Sequence, residues 1–262
     1  MRFEHLISCV DKNVKELGET MHLSADAVIV NQCSYDREDS FDLVGHKVYE
    51  IDRDRRGVGL SRNTALEAAS ADIVLFGDED IVYEADCAEK VLSEFEAHPD
   101  ADLILFNVKV CDERRTYWND SFGRVYGFNS GRYPAYSIAA KRAKLMDKGI
   151  RFSLYFGGGA KYSNGEDSLF LRDAARAGLK MFKSPILIGE EIPRPSTWFT
   201  GYNEKFFYDR GVLYRELYGR VMAPIRAFRW LFKNRKEFCA EFPYKEARKL
   251  MKKGYHDGVK TI

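Results

Sequence analysis

RGVGLSRNTALEAASADIVLFGDED, residues 56–80, is the stretch that decides the fold of this 262-residue chain. Its pattern predicts a Gly-containing loop, a short Ala-rich helix and a buried apolar strand that ends in Asp78, Glu79 and Asp80. Because side chains alternate along a strand, Asp78 and Asp80 share a face and Glu79 points away. Two carboxylates at this edge of an α/β sheet, where ligands bind, can hold Mn²⁺ or Mg²⁺ together with phosphate oxygens.

The acidic run has a second explanation, because three acids in a row also occur in solvent-exposed turns. Here the run follows a predicted buried strand and precedes a predicted helix, residues 86–96, and this context favours a metal site. We expect Asp80 to bind the metal directly and Asp78 to contact a ribose or a metal-bound water.

Composition limits the class of protein. The chain is 45% apolar and 31% charged with a net charge of +1, which is typical of a soluble globular protein and gives no case for nucleic-acid binding. From Arg220 onward, however, it carries twelve basic and four acidic residues. We expect one α/β domain over residues 1–211 and a basic amphipathic helical tail over residues 212–262.

The cysteines and the N-terminus indicate a compartment. Five scattered cysteines, never spaced as C-x-x-C, argue against a disulfide framework or a zinc site and fit a reducing cytoplasm. The apolar run at residues 6–10 is too short for a signal peptide, and no run approaches the roughly 18 apolar residues of a membrane span. We therefore expect the body of the protein to be cytoplasmic.

The order of elements predicts parallel strands joined by right-handed crossovers. Strands are predicted at residues 3–10, 27–30, 47–51, 71–77, 101–110 and 181–188. Helices are predicted at residues 13–21, 86–96 and 137–148, and a further helix starts at residue 166. Between them, residues 112–136 are polar, aromatic and Gly-rich, without amphipathic period. This segment, which contains Trp118, is either an acceptor-binding loop or an ordinary solvent-facing hairpin.

Three motifs in this order, GLSRNTAL, ADIVLFGDED and NGEDSLFL, resemble the family-2 glycosyltransferases of the GT-A fold. The resemblance implies a Rossmann-like, mostly parallel central sheet flanked by helices, with a C-terminal helical extension. It also implies a D-x-D motif that holds a divalent metal on a nucleotide-sugar diphosphate. The implied reaction is an inverting transfer from a donor, a UDP-sugar by preference, to an acceptor hydroxyl.

The same resemblance implies roles for the acidic pair near residue 166. Asp167 would be the catalytic base, and Glu166 would bind the acceptor or orient that base. A plainer explanation exists, since any acid in the first turn of a helix interacts favourably with the helix dipole.

The implied donor site departs from the family pattern in two places. Asn31 and Gln32 stand where relatives often have acids that read the nucleoside, and no His lies just after the last strand, where many relatives have a metal-binding one, so Glu190 or Glu191 would substitute as metal ligand. The donor-binding candidates are Ser8, Asn31, Gln32, Arg56, Arg62, Asn63, Asp78, Glu79, Lys205 and Arg210. Arg62 would face phosphate or nucleoside, although Ser61-Arg62-Asn63 also fits a polar helix start capped by Ser61.

The resemblance also suggests a class of acceptor and a cellular role. Trp118 and Trp198, with Glu166, are candidates for binding a glycan or lipid-linked acceptor. The tail predicts either a helix on an anionic inner membrane surface or a helix packed on the domain. The family suggests bacterial surface-glycan synthesis, such as capsule or cell wall; the sequence leaves the oligomeric state open.

Three other functions stay open at this point. IVLFGDEDIV loosely matches the motif of haloacid-dehalogenase-type phosphatases, in which Asp78 would be the nucleophile. A nucleotidyltransferase would need a Gly-rich loop after the first strand, which is missing. The third is a catalytically inactive relative that serves as a partner protein.

Overall fold

A computed structural model describes residues 1–193 and 201–259, in which a ten-stranded sheet is flanked by helices. Its strands are β1 Phe3–Val10, β2 Asp26–Gln32, β3 Arg37–Leu43, β4 His46–Arg53, β5 Ile73–Asp78, β6 Ile81–Tyr83, β7 Leu103–Lys109, β8 Gly123–Val125, β9 Ile138–Lys141 and β10 Met181–Glu191. Its helices are α1 Val14–Thr20, α2 Val58–Ala68, α3 Cys87–Ala97, α4 Arg142–Asp147, α5 Glu166–Arg176, α6 Glu204–Phe238 and α7 Tyr244–Asp257, with a 3₁₀ turn at Ala135–Ser137.

The strands follow the order β3-β4-β2-β1-β5-β9-β7-β10-β6, and β8 pairs with β10. The parallel run β4-β2-β1-β5 and the parallel pair β7-β10 confirm the predicted Rossmann-like α/β architecture. Between these two parallel blocks lies β9, antiparallel to both β5 and β7. The sheet is thus mixed at its centre.

The core lies on both faces of the sheet because strand side chains alternate. In β1, Leu6 packs into one apolar cluster and Ile7 into the other, and both are fully buried. Helices α2 and α5 cover the first face, with Phe170 of α5 in its cluster, and α1 and α3 cover the second, with Phe95 of α3. The predicted strand periodicity is therefore confirmed by the packing.

The candidate site lies where β1, β2 and β5 end. These three strands run in parallel, with Val10 opposite Gln32 and Ser8 opposite Asp78. Their carboxyl ends therefore meet at one edge of the sheet, and the loops that follow them converge there.

The sequence did not predict the edge strand β3. Five of its seven residues, REDSFDL, are polar or charged, and only Leu43 among the seven is buried. They form a hairpin with β4 through Val44 and Gly45, which both have positive φ, at 49° and 85°. An edge strand faces solvent, so it lacks the apolar pattern that marks a buried strand.

The helix predicted over residues 137–148 is wrong in its first part. Residues Ile138–Lys141 form β9, and the helix α4 is limited to Arg142–Asp147. Ile138, Ala139 and Ala140 are fully buried between β5 and β7. Alanine favours helices in isolation, but pairing with two buried strands overrides that local preference.

The C-terminal region consists of α6 and α7, packed on each other around a third apolar cluster. Helix α6 is kinked at Gly219, whose φ is 70° and ψ −178°. The boundary expected between residues 211 and 212 falls inside α6. No helix within residues 1–193 and 201–259 has the length and apolar character needed to cross a membrane.

Candidate active site

Helix α2 brings the first motif to the sheet edge. The helix begins at Val58 after Gly57, so Ser61 lies inside it and does not cap it. The Ser61 hydroxyl instead accepts a hydrogen bond from Ser8 Oγ at 2.6 Å and donates to the carbonyl of Val30 at 3.3 Å. These bonds fix α2 against β1 and β2, and they give Ser8 a structural partner.

Arg62 joins the two acidic motifs. Its Nη2 donates to Asp78 Oδ1 at 2.7 Å, and its Nη1 donates to Glu166 Oε1 at 3.1 Å and to Asp167 Oδ1 at 3.2 Å. The guanidinium also lies over the Phe152 ring, 5.2 Å from its centroid. The structure thus places Arg62 among carboxylates; its contact with a donor stays a prediction.

The charges in this cluster shift one another's pKa. Burial alone would lower the pKa of Arg62, but Asp78, Asp167 and Glu166 raise it, so the guanidinium stays charged. The pKa of Asp167 lies well above 3.8, because burial and the neighbouring Glu166 disfavour its charged form while Arg62 opposes them. A carboxylate of raised pKa holds a proton more readily, as a general base must.

Two glycines allow α5 to approach this cluster. Gly165, with φ 110°, precedes α5, and a Cβ there would lie 2.4 Å from Leu213 Cδ1. Gly157, with φ 105°, faces Glu166, and a Cβ there would lie 2.8 Å from the Glu166 carboxyl carbon. The absence of a side chain at Gly157 thus leaves room for the Glu166 side chain.

The last residues of the candidate acceptor loop, residues 112–136, lie next to Asp167 in space. The backbone of Ala135 forms a hydrogen bond with the Asp167 carboxylate, and Ser168 Oγ donates to the carbonyl of Gly131 at 3.2 Å. Trp118 in the same loop is exposed. The loop is therefore adjacent to the candidate base, although the role of Trp118 in binding the acceptor stays a prediction.

Strand β5 ends at Asp78, so Glu79 and Asp80 lie in a turn, where strand alternation does not set the direction of their side chains. Glu79 accepts a hydrogen bond from the Val10 amide at 2.7 Å and pairs with Lys12 at 3.6 Å. Asp80 is buried, and its carbonyl accepts a bond from the Ile192 amide at 2.7 Å. The charges of Asp78 and Asp80 both act on the buried hydroxyl of Tyr83, whose pKa burial already raises.

A divalent cation at this edge of the sheet would need ligands from the substrate as well as from the protein. Within the described residues, no three His, Cys, Asp or Glu side chains form a metal-binding group. Asp78 pairs with Arg62, and Asp80 is buried two residues further on; the role of either carboxylate as a metal ligand stays a prediction. Carboxylate oxygens suit Mg²⁺ or Mn²⁺, and such ions usually keep waters and substrate phosphates in their shell.

The side-chain amides proposed to read the donor are engaged with the chain itself. Asn31 Nδ2 donates to Asp52 Oδ1 at 2.8 Å, and Gln32 Oε1 accepts from the Gly57 amide at 2.7 Å. Asn63 forms two bonds with the backbone of Phe152, at 2.8 and 2.9 Å. These side chains hold loops in place, and any nucleoside contact they make stays a prediction.

The charged segment at residues 52–56 is only partly exposed to solvent. Asp52 is completely buried and accepts a bond from Arg37 Nε at 3.0 Å. Arg56 donates to the carbonyl of Gln32 at 2.6 Å and to Asp11 at 2.7 Å. Arg56 therefore lies at the edge of the sheet where β1 and β2 end, and its contact with a donor stays a prediction.

Two further donor-binding candidates, Lys205 and Arg210, lie in the first half of α6 and have partners within the chain. Lys205 Nζ donates to the Lys161 carbonyl at 2.8 Å and pairs with Asp209. The Arg210 guanidinium lies 4.7 Å from the Phe206 ring and 4.2 Å from the Trp230 ring.

Three candidates remain: two glutamates, which form ion pairs with basic residues, and one tryptophan. Glu190 pairs with Lys109 at 3.3 Å and Glu191 with Arg114 at 2.8 Å. Trp198 lies outside the described residues.

Two members of the site carried no signal in the sequence. Phe152, under the Arg62 guanidinium, is one of many apolar residues in the chain, and the Ala135 backbone is hidden in a segment without period. Both reach the site through contacts between residues far apart in the sequence, which periodicity cannot predict.

The pattern of Glycosyl transferase family 2 matches residues 8–160, more than half of the chain. The chain belongs to glycosyl transferase family 2. It is therefore a glycosyltransferase. This membership rules out the phosphatase and nucleotidyltransferase alternatives.

Solved structures support the GT-A fold of this family-2 member. Residues 1–349 of S. aureus TarS in complex with UDP-GlcNAc superpose with a TM-score of 0.62 at 19% identity, covering 92% of this chain and 74% of that one. A mannosyltransferase, PcManGT from Pyrobaculum calidifontis, in complex with GDP-Man and Mn²⁺, gives 0.52 at 14% identity, covering 96% and 84%. A search of curated proteins gave no significant match.

Proposed function

We propose that the protein transfers a sugar from a nucleoside-diphosphate donor to an acceptor hydroxyl, with inversion at the anomeric carbon. The observation that carries this proposal is the Arg62 guanidinium, which holds Asp78 of the first acidic motif beside Glu166 and Asp167 of the second. One cation thereby links the donor-side acids to the candidate base. A transferase needs its two substrates in one fixed geometry, and this link supports that geometry.

Asp167 is the general base of the proposed step. It accepts the proton of the acceptor hydroxyl while the hydroxyl oxygen forms a bond to the anomeric carbon. The bond from that carbon to the diphosphate oxygen breaks, and the nucleoside diphosphate leaves with the electron pair. A quarter of the Asp167 side chain, 25%, stays exposed, so an acceptor can reach it.

The donor side is built around Asp78, Asp80 and Arg56. A divalent cation bound there would act as a Lewis acid on the leaving diphosphate. Asp80 would supply its main protein ligand, while Asp78 holds Arg62 or a ribose hydroxyl. The remaining donor candidates are Ser8, Asn31, Gln32, Arg62, Asn63, Glu79, Lys205 and Arg210.

A UDP-sugar is the donor we propose. The TarS structure named above contains UDP-GlcNAc and the PcManGT structure contains GDP-Man, so nucleotide sugars are found in structures of this fold. The acceptor we propose is a glycan or lipid-linked glycan, bound by Glu166 and Trp118. The product would be a bacterial surface polysaccharide, assembled at the anionic inner face of the membrane.

The proposal is tested by measuring nucleoside diphosphate released from a panel of nucleotide sugars with Mn²⁺ or Mg²⁺. We expect turnover with one UDP-sugar and a loss of about 10²–10⁴-fold in Asp167→Asn. Asp173→Asn, an acid on the exposed side of the same helix, is the matched control and should keep wild-type rates. Donor binding without turnover by the wild-type protein, with any acceptor, would favour an inactive partner protein instead.

A further inference from the structure

The second half of α6, after the kink at Gly219, has two apolar sides. One side packs inward through Ala223, Ala227 and Leu231, which are buried. The other side is exposed and carries Val221, Ile225, Phe228 and Phe232, each more than half exposed; we call these four residues the α6 stripe. Their spacings of four, three and four residues place them on one face of the helix.

A cavity of about 420 Å³ adjoins the α6 stripe, between α6 and α7. It shares Ile225 and Phe228 with the stripe, and its floor includes the buried Leu231 and Met251. Arg248 and Lys252 of α7 also line it. The cavity is therefore apolar with two cations among its lining residues, and its volume is that of a ligand site.

Positive charge surrounds this apolar surface. Residues 220–236 contain no acid, and Arg229 and Lys233 are exposed beside the α6 stripe. Arg248, Lys249, Lys252 and Lys253 add exposed cations on α7. Large exposed apolar side chains amid cations are the pattern of helices that lie on anionic lipid surfaces.

We propose that the α6 stripe and the adjoining cavity bind the surface of an anionic phospholipid bilayer, with one acyl chain entering the cavity between Arg248 and Lys252. The α6 stripe enters the acyl boundary, and the arginines and lysines around it contact lipid phosphates. A second copy of this chain fits less well, because a two-fold contact through this face would oppose two strongly basic surfaces. The proposal deepens the membrane location given under the proposed function, but it concerns binding alone and requires no turnover.

The test is sedimentation of the full-length protein with vesicles of phosphatidylglycerol and phosphatidylcholine in varying ratio. We expect binding to rise with the anionic fraction and to fall with added salt. Ile225→Ser combined with Phe228→Ser should weaken binding by about tenfold or more. Phe128→Ser, which changes an exposed phenylalanine in another part of the chain, is the matched control and should bind as wild type does.

The electrostatic part is tested separately. Arg229→Gln with Lys233→Gln should weaken binding by about fivefold per charge removed. Lys144→Gln with Lys148→Gln removes two exposed charges near α4 and should have no effect. Vesicles with brominated acyl chains should quench a larger fraction of the fluorescence of Phe228→Trp than of the wild type, which already contains three tryptophans, and Phe128→Trp should show no such increase.

Several results would overturn the proposal. Equal binding to phosphatidylcholine alone, unchanged binding by the Ile225→Ser/Phe228→Ser protein, or a sedimented Phe228→Trp protein quenched no more than the wild type would each contradict it. So would a dimer in light scattering that Phe228→Ser dissociates, without vesicle binding by the wild type. None of these results bears on sugar transfer, since donor turnover by the same variants is measured without vesicles and should stay unchanged.

Discussion

The Arg62 guanidinium lies 2.7 Å from the carboxylate of Asp78 and 3.2 Å from that of Asp167, so one cation connects the end of β5 to the start of α5. Glu166 adds a third carboxylate at 3.1 Å. Since one guanidinium cannot neutralise three carboxylates, the cluster keeps a negative charge that a metal ion or a proton can offset. Arg62 therefore positions both acidic motifs, and its removal should affect stability and transfer together.

Arg62→Met tests this positioning role. It leaves three partly buried carboxylates without their cation, and breaking a buried ion-pair network costs about 3–5 kcal/mol of unfolding free energy. We also expect transfer to fall about 10²-fold, because misplaced catalytic groups lose that much. Arg151→Gln, which breaks a surface ion pair with Glu67, should cost about 1 kcal/mol or less and leave transfer intact. Denaturant unfolding that gives equal values for both variants would contradict the role.

Asp167→Asn should change the pH dependence of stability. The folded protein holds the Asp167 proton more tightly than the unfolded chain, in which the carboxyl titrates near 3.8. Wild-type stability therefore falls as pH rises from 3.8 towards the raised pKa of the folded state, and asparagine removes this loss. Thermal unfolding of both proteins from about pH 4 to about pH 8 should show a growing advantage for the variant. A difference that stays constant with pH would mean that burial does not raise this pKa.

Gly157→Ala should disturb Glu166. The new Cβ would lie 2.7 Å from Val58 Cγ1 and 2.8 Å from the Glu166 carboxyl carbon, at a φ of 105°. We expect a cost of about 3 kcal/mol from strain and overpacking, with a loss of transfer. Gly149→Ala is the matched control, with φ 62° and open space around the new Cβ, and should cost about 1 kcal/mol without loss of transfer. Equal effects of the two variants on transfer would show that the approach to Glu166 is unimportant.

Asn63→Ala should lower the free energy of unfolding. Its amide forms two hydrogen bonds with the backbone of Phe152, the residue beneath Arg62, and truncation leaves a buried N–H without its partner. Such a loss costs about 1–3 kcal/mol. Asn13→Ala, which removes an exposed cap of α1, should cost about 1 kcal/mol. Chemical denaturation that ranks Asn13→Ala as the more damaging variant would contradict the bonding to Phe152.

The sequence predicted those parts of the fold that local pattern determines. The apolar runs of β1 and β5 and the helix that starts at residue 166 were predicted, because each follows a continuous local pattern along the chain. Edge strand β3 was missed because its residues are polar, and β9 because its alanines favour helix until buried strands pair with them on both sides.

The candidate site was predicted as a set of acids, and its connection through Arg62 was not. Asp78 and Asp167 stand at recognisable positions, at a strand end and a helix start. Their shared cation depends on the spatial meeting of α2, β5 and α5, which lies beyond any local pattern. Asn31 likewise offered free donor and acceptor edges in the sequence, whereas the fold uses them to bind Asp52 and Lys12.

The most direct test of nucleotide-sugar transfer at this site is a thermal-shift measurement with UDP, GDP, CDP, dTDP and ADP, with and without Mn²⁺. A ligand that binds only the folded state raises its unfolding temperature. We predict a shift with UDP that requires Mn²⁺ and disappears in Asp80→Ala, while Asp112→Ala, which changes an exposed acid, keeps it. No shift with any diphosphate and metal, or an undiminished Mn²⁺-dependent shift in Asp80→Ala, would contradict the donor site proposed here.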